Sequence, residues 1–193
     1  MKQILFALLL PLTLLMAQMS YAAEDYSASV KNFKQAKQTH PFFESAYGYA
    51  LFPTIGKGGL GIGAAHGDGQ VYQGGKVTGK TSMTQVTIGL QAGGQAFSQI
   101  IFFTDKRAYT DFTSGNFEFG AQATAVAITA GASASSSTTG TSAGSSAGGG
   151  AGKQSKAKYN KGMATFTFAK GGLMYEASIG GQKFKFEPLD KKK

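Results

Sequence analysis

Beyond Pro53 the hydrophobic residues of this chain recur at every second position, and glycine punctuates the alternation. Leu60, Ile62 and Ala64 alternate with Gly61 and Gly63, and the runs Met163 to Ala169, Leu173 to Ile179 and Lys183 to Phe186 repeat the pattern near the C-terminus. Side chains return to one face every second residue only on an extended strand, so the pattern commits the chain to a sheet. Glycine inside such strands allows sharp coiling or close approach of backbones. The fold class that follows is mainly β with short helices (α+β). It is a glycine-rich, strongly coiled antiparallel sheet, barrel- or sandwich-like, with N-terminal helices and one short mid-chain helix.

From Ser27 to Gln38, Val30 and Phe33 share one side of a helix and Lys31, Lys34 and Lys37 another, and His40-Pro41 ends the segment. The basic stripe suits either a solvated helix face or contact with anionic lipid. A second helical turn runs from Phe42 to Tyr47. Gly67-Asp68-Gly69, ahead of Val71-Tyr72, reads as the tight turn of a hairpin. Ser82 to Phe103 reads as one long strand bent by a bulge at Gly93-Gly94, or as two consecutive strands. Thr104 to Phe112 opens on a capping sequence and closes at Gly115, which predicts a short helix. Phe117, Phe119 and Ala121 resume the alternation toward Ile128, and Gly171-Gly172 and Gly180-Gly181 read as hairpin turns. Every residue from 131 to 152 is Gly, Ala, Ser or Thr. Such a segment buries too little apolar area to offset its chain entropy, so it is expected to be a flexible insertion within one domain spanning 23–193.

Lys2, the apolar run Ile4 to Ala17 and the small residues of Ser20-Tyr21-Ala22 form a secretory signal peptide over 1–22. A retained membrane anchor is the alternative, but the run is short for a span and contains Pro11. Export to the periplasm or outside the cell follows, with peripheral attachment as the form any membrane association would take. The absence of Cys rules out a lipid anchor on cysteine and a disulfide framework. A formal charge of +9, from 19 basic and 10 acidic residues, favours anionic partners. In an exported protein these are phospholipid head groups or acidic polymers rather than nucleic acid.

No motif for enzymatic chemistry stands up. Gly74-Gly75-Lys76-Val77-Thr78-Gly79-Lys80-Thr81 satisfies the phosphate-loop pattern by letter. That chemistry needs a helix after the loop, whose N-terminus directs N–H groups at phosphates, whereas Met83 to Ile88 is alternating and β-branched. A hairpin loop explains the string better, and no bound nucleotide is expected. Gly56-Lys57-Gly58-Gly59 offers backbone N–H groups to an anion, or simply turns into a strand. His40 and His66 are the only histidines, too few for a metal site without Cys. His66 and Asp68 would need a serine on a nucleophile elbow, which the sequence lacks. No catalytic residue, metal or cofactor is therefore assigned.

Ala46-Tyr47-Gly48-Tyr49-Ala50-Leu51-Phe52-Pro53, Lys57-Gly58-Gly59-Leu60-Gly61-Ile62-Gly63 and His66-Gly67-Asp68-Gly69 resemble the opening block of the lipid-binding SYLF domain family. Gly89 to Ser98 with Ile101-Phe102-Phe103-Thr104-Asp105 is similar to its central block, and Gly171 to Ala177 with Gly180-Gly181 to its last hairpin. The 131–152 insertion departs from the more structured connection expected there. The resemblance implies phospholipid binding. Actin, a partner of eukaryotic members, is not expected for an exported bacterial-type protein.

The expectation is a non-enzymatic cell-envelope protein that binds anionic phospholipid. Head groups would meet Lys57, Lys106, Arg107, Lys153, Lys156, Lys158 and Lys161. Of the adjacent aromatics Phe102-Phe103, which cannot share one face of a strand, one would be core and the other would lie near acyl chains. The alternative is an interaction module that meets another envelope protein through the insertion or a sheet edge. A nucleotide-binding protein acting through 74–81 is a remote third.

Overall fold

The computed structural model describes residues 26–120, 126–128 and 159–189, with backbone alone at 126–128 and 171–180. The segment 1–22 expected to be a signal sequence, the segment 131–152 expected to be a flexible insertion, and Lys153, Lys156 and Lys158 lie outside the described residues. The elements are helix α1 over 26–35, α2 His40–Ser45, strands β1 Gly48–Gln73 and β2 Lys76–Phe103, helix α3 Lys106–Phe112, and strands β3 Asn116–Phe119, β4 Val126–Ile128 and β5 Met163–Pro188. The strands make one sheet in the order β1-β2-β5-β3, antiparallel throughout this path, with β4 pairing parallel to β5. It is mostly β, as the alternation requires, and the described strands do not close into a barrel.

Three very long strands replace the several short hairpins expected from the glycines. The first turn falls at Gly74-Gly75, whose φ angles of 55° and 77° are those of a two-residue hairpin loop that glycine enters without a Cβ clash. Gly67, Asp68 and Gly69 instead stay in register opposite Met83, Ser82 and Thr81. These glycines are there for packing. A Cβ on Gly67 would lie 2.7 Å from the Thr54 carbonyl oxygen, and one on Gly69 would lie 2.6 Å from that of Leu51. Gly171-Gly172 and Gly180-Gly181 likewise do not turn, because β2 runs on past them as a partner strand, with one bulge between Ala96 and Phe97, and they pair with Ala96, Gln95, Thr87 and Val86.

Those close approaches show that the sheet folds over on itself. One core cluster draws Ala50, Phe52 and Ile55 from the first arm of β1 and Ala65 and Val71 from the second. It takes Met83 together with Ile101 and Phe103 from β2, and Met163 together with Phe184 from β5. The Phe52 and Phe184 ring centroids stand 5.6 Å apart across this interior. The bend lies midway along the strands, where Gly61 alone faces Gly89, Leu90 and Gln91 between the pairs Leu60 with Ala92 and Ile62 with Ile88. Gly61, Gly89 and Gly93 have φ of 72°, 151° and 119°, angles that L side chains resist.

The outer face of the first arms carries a second core, in which α1 and α2 lay Phe33, Phe42 and Phe43 over Leu51, Ile100, Phe102, Ala164 and Phe166. These arms are therefore buried on both faces. Phe102 points to the helices and Phe103 to the interior, and both are fully buried. This corrects the expectation that one of them reaches acyl chains. The mid-chain helix forms as its capping sequence predicts, with the Asp105 carboxylate accepting a hydrogen bond of 2.8 Å from the Ala108 N–H. Among the described residues no helix is long and apolar enough to cross a membrane.

Candidate functional site

Among the described residues the bend gathers five of the six exposed large hydrophobic side chains, the sixth being Leu189. Leu60 is 84%, Ile62 66%, Val86 57%, Ile88 69% and Leu90 72% exposed. Ile62 and Ile88 are direct cross-strand neighbours, as are Ala64 and Val86, so the side chains form one contiguous patch across β1 and β2. In β5, Gly181, Ile179 and Ala177 are the register partners of Val86, Ile88 and Leu90. Large aliphatics gathered this way are uncommon on a protein that meets only water, whereas scattered ones are not.

A polar knot beneath the patch holds the bend. The Gln91 side-chain amide donates to the carbonyls of Gly61 and Thr87, both at 3.0 Å, and its oxygen accepts from the Thr87 hydroxyl at 2.8 Å. Both side chains are buried, and alternation along β2 then turns Val86 and Ile88 outward. Gly63 leaves the space that Gln91 fills, since a Cβ there would stand 2.3 Å from the Gln91 side-chain oxygen. Gln91→Leu keeps the volume but strands two carbonyls and a hydroxyl. It should cost about 2–3 kcal/mol of stability in a denaturant melt.

Polar groups border the patch. Lys57, half-buried, precedes Leu60 by three residues, an odd spacing in unbroken register that puts it on the Ile55 face of the strand, and the Lys170 ammonium donates to the Thr54 hydroxyl at 2.8 Å on the same arm. On the other arm the outward alternation changes beyond Ala64 and Val86 to His66 opposite Thr84 and Asp68 opposite Ser82. His66 lies 3.8 Å from Asp68 and 3.3 Å from the Thr84 hydroxyl on this open sheet face. Among the described residues no serine of a nucleophile elbow joins that pair. Among the described residues no cluster of metal-ligating side chains forms. The phosphate-loop string runs as the Gly74-Gly75 turn followed by strand, with Lys80 paired in register to Gln70 and Glu187, so it lacks the helix that phosphate binding requires.

The fold separates the head-group residues named from sequence. Lys57 stands near the bend. Lys106 and Arg107 on α3, and Lys161 in the turn before β5, collect at the opposite end, where the Arg107 guanidinium lies against Gly162. Lys31 and Lys34 line the exposed side of α1 and Lys37 lies in the turn after it, with the Lys34 ammonium 5.7 Å from the centre of the Phe43 ring. The patch at the bend escaped sequence reasoning because alternation marks two faces without saying which is covered. Its available signal is glycine on both sides of Leu60 and Ile62, which leaves these aliphatics without bulky inward neighbours.

No family model matches the chain, and no solved structure matches it. Among curated proteins the chain is similar to Beta cell expansion factor A of Aeromonas veronii, with 30% identity over 161 residues. The match covers 82% of this chain and 52% of that protein, so the chain spans about half the length of the curated relative it matches.

Proposed function

We propose that this is an exported, non-enzymatic, SYLF-like protein that docks peripherally on anionic phospholipid bilayers, bend first. The observation that carries the reading is the aliphatic patch at the bend, with Lys57 and Lys170 on the adjoining arm. Aliphatic side chains enter the acyl boundary while lysines set back from them meet head groups, each adding about 1 kcal/mol near an anionic surface. The net charge of +9 favours the same partner. Leu60, Ile62, Val86, Ile88 and Leu90 replace Phe102 and Phe103 as the apolar contact.

Co-sedimentation of the purified protein with neutral and anionic liposomes tests the reading. Binding should be stronger to anionic vesicles and should weaken, without vanishing, as salt is raised, because salt screens the lysines and leaves the apolar contact intact. Equal binding to both vesicle types, or none, overturns it.

A further inference from the structure

Four cations stand at the end of the molecule away from the bend. Lys76 follows the Gly74-Gly75 turn, Lys106 and Arg107 open α3, and Lys161 occupies the turn closed by mutual backbone hydrogen bonds between Asn160 and Met163. All four are exposed. The Tyr109 hydroxyl donates to that of Thr78 at 2.9 Å and ties α3 to the start of β2, while Arg107 packs on Gly162, so these elements form one surface. Two acids offset part of this charge, since Asp105 caps the helix and Asp111 pairs with Arg107 at 3.2 Å, which leaves Lys76, Lys106 and Lys161 as the excess cations of the surface.

The strand arms separate this surface from the bend. From Gly93 to Phe103 an extended strand covers about 30 Å, several times the roughly 8 Å over which salt screens charges at physiological ionic strength. When the bend enters a bilayer, these cations are too distant to feel its head groups. We infer that they engage a second anionic phospholipid surface, so that one molecule bridges two bilayers. The inference rests on bend-first docking, and charge complementarity selects the second partner.

Dynamic light scattering of vesicles containing phosphatidylglycerol tests it, with co-sedimentation in parallel. The wild-type protein should raise the apparent particle size several-fold. Lys76→Glu, Lys106→Glu and Lys161→Asn combined should abolish this clustering while changing the sedimented fraction by less than about twofold. Asparagine is chosen at 161 because the residue has φ of 50°, which asparagine tolerates. Wild-type protein that sediments without clustering vesicles overturns the bridge and leaves bend-first docking standing. Clustering that survives the triple substitution also overturns the bridge. Failure to sediment at all refutes the docking reading itself.

Discussion

Phe184→Ala should lower stability by about 3–5 kcal/mol and the melting temperature by roughly 10 °C, read by circular dichroism. Phe184 is 2% exposed, and its ring meets Phe112 at 5.2 Å, Phe119 at 5.5 Å, Phe52 at 5.6 Å and Phe117 at 6.3 Å. Truncation removes the apolar contact of a whole ring and leaves a cavity lined by rings on rigid strands, which collapse poorly into it. The contact with Phe52 is the diagnostic one. Phe184 pairs in the ladder with Met83, whereas Phe52 belongs to the opposite arm and reaches it only because the sheet folds over. A double-mutant cycle between Phe52 and Phe184 should show a coupling of about 0.5–1.5 kcal/mol. Additive losses, or a melting point within a few degrees of wild type for Phe184→Ala, would be incompatible with this interior.

The strands themselves were legible in sequence, because period-two alternation is a local property of extended chain and needs no knowledge of partners. The short helix after Phe103 was legible for the same reason, since Asp105 caps it through an N–H three residues on. Glycine was ambiguous. At Gly74 and Gly75 it makes a turn, at Gly67 and Gly69 it admits a backbone from the other arm, and at Gly61 and Gly89 it bends the strand. Only the tertiary contact distinguishes these uses, so the turns expected at 67–69, 171–172 and 180–181 became continuous strand. The same limit governs the candidate site. Phe102 belongs to the apolar run Ile100 to Phe103, which does not say which of its faces is covered, and it is buried because two helices lie over that arm. Leu60 and Ile62 alternate as core residues would and are exposed because, among the described residues, nothing lies over theirs.

Combining Leu60→Ser, Ile62→Ser, Ile88→Ser and Leu90→Ser should reduce affinity for anionic liposomes by about a thousandfold while leaving the melting temperature close to that of the wild type. Full burial of a Leu or Ile side chain is worth about 1.5–3 kcal/mol. Side chains that enter only the head-group and acyl boundary realise part of this, about 1 kcal/mol each, and four of them together supply the thousandfold. Stability is spared because these side chains already face solvent at 84%, 66%, 69% and 72%, so folding gains little from them. The buried Gln91 and Thr87 that hold the bend are untouched. The salt dependence separates the two contributions further. Residual binding by the serine variant should disappear at high salt, since only Lys57, Lys170 and the overall positive charge remain to hold it. Undiminished binding would exclude the bend as the docking surface, whereas binding lost together with the fold would show that the aliphatic patch is part of the protein's own structure.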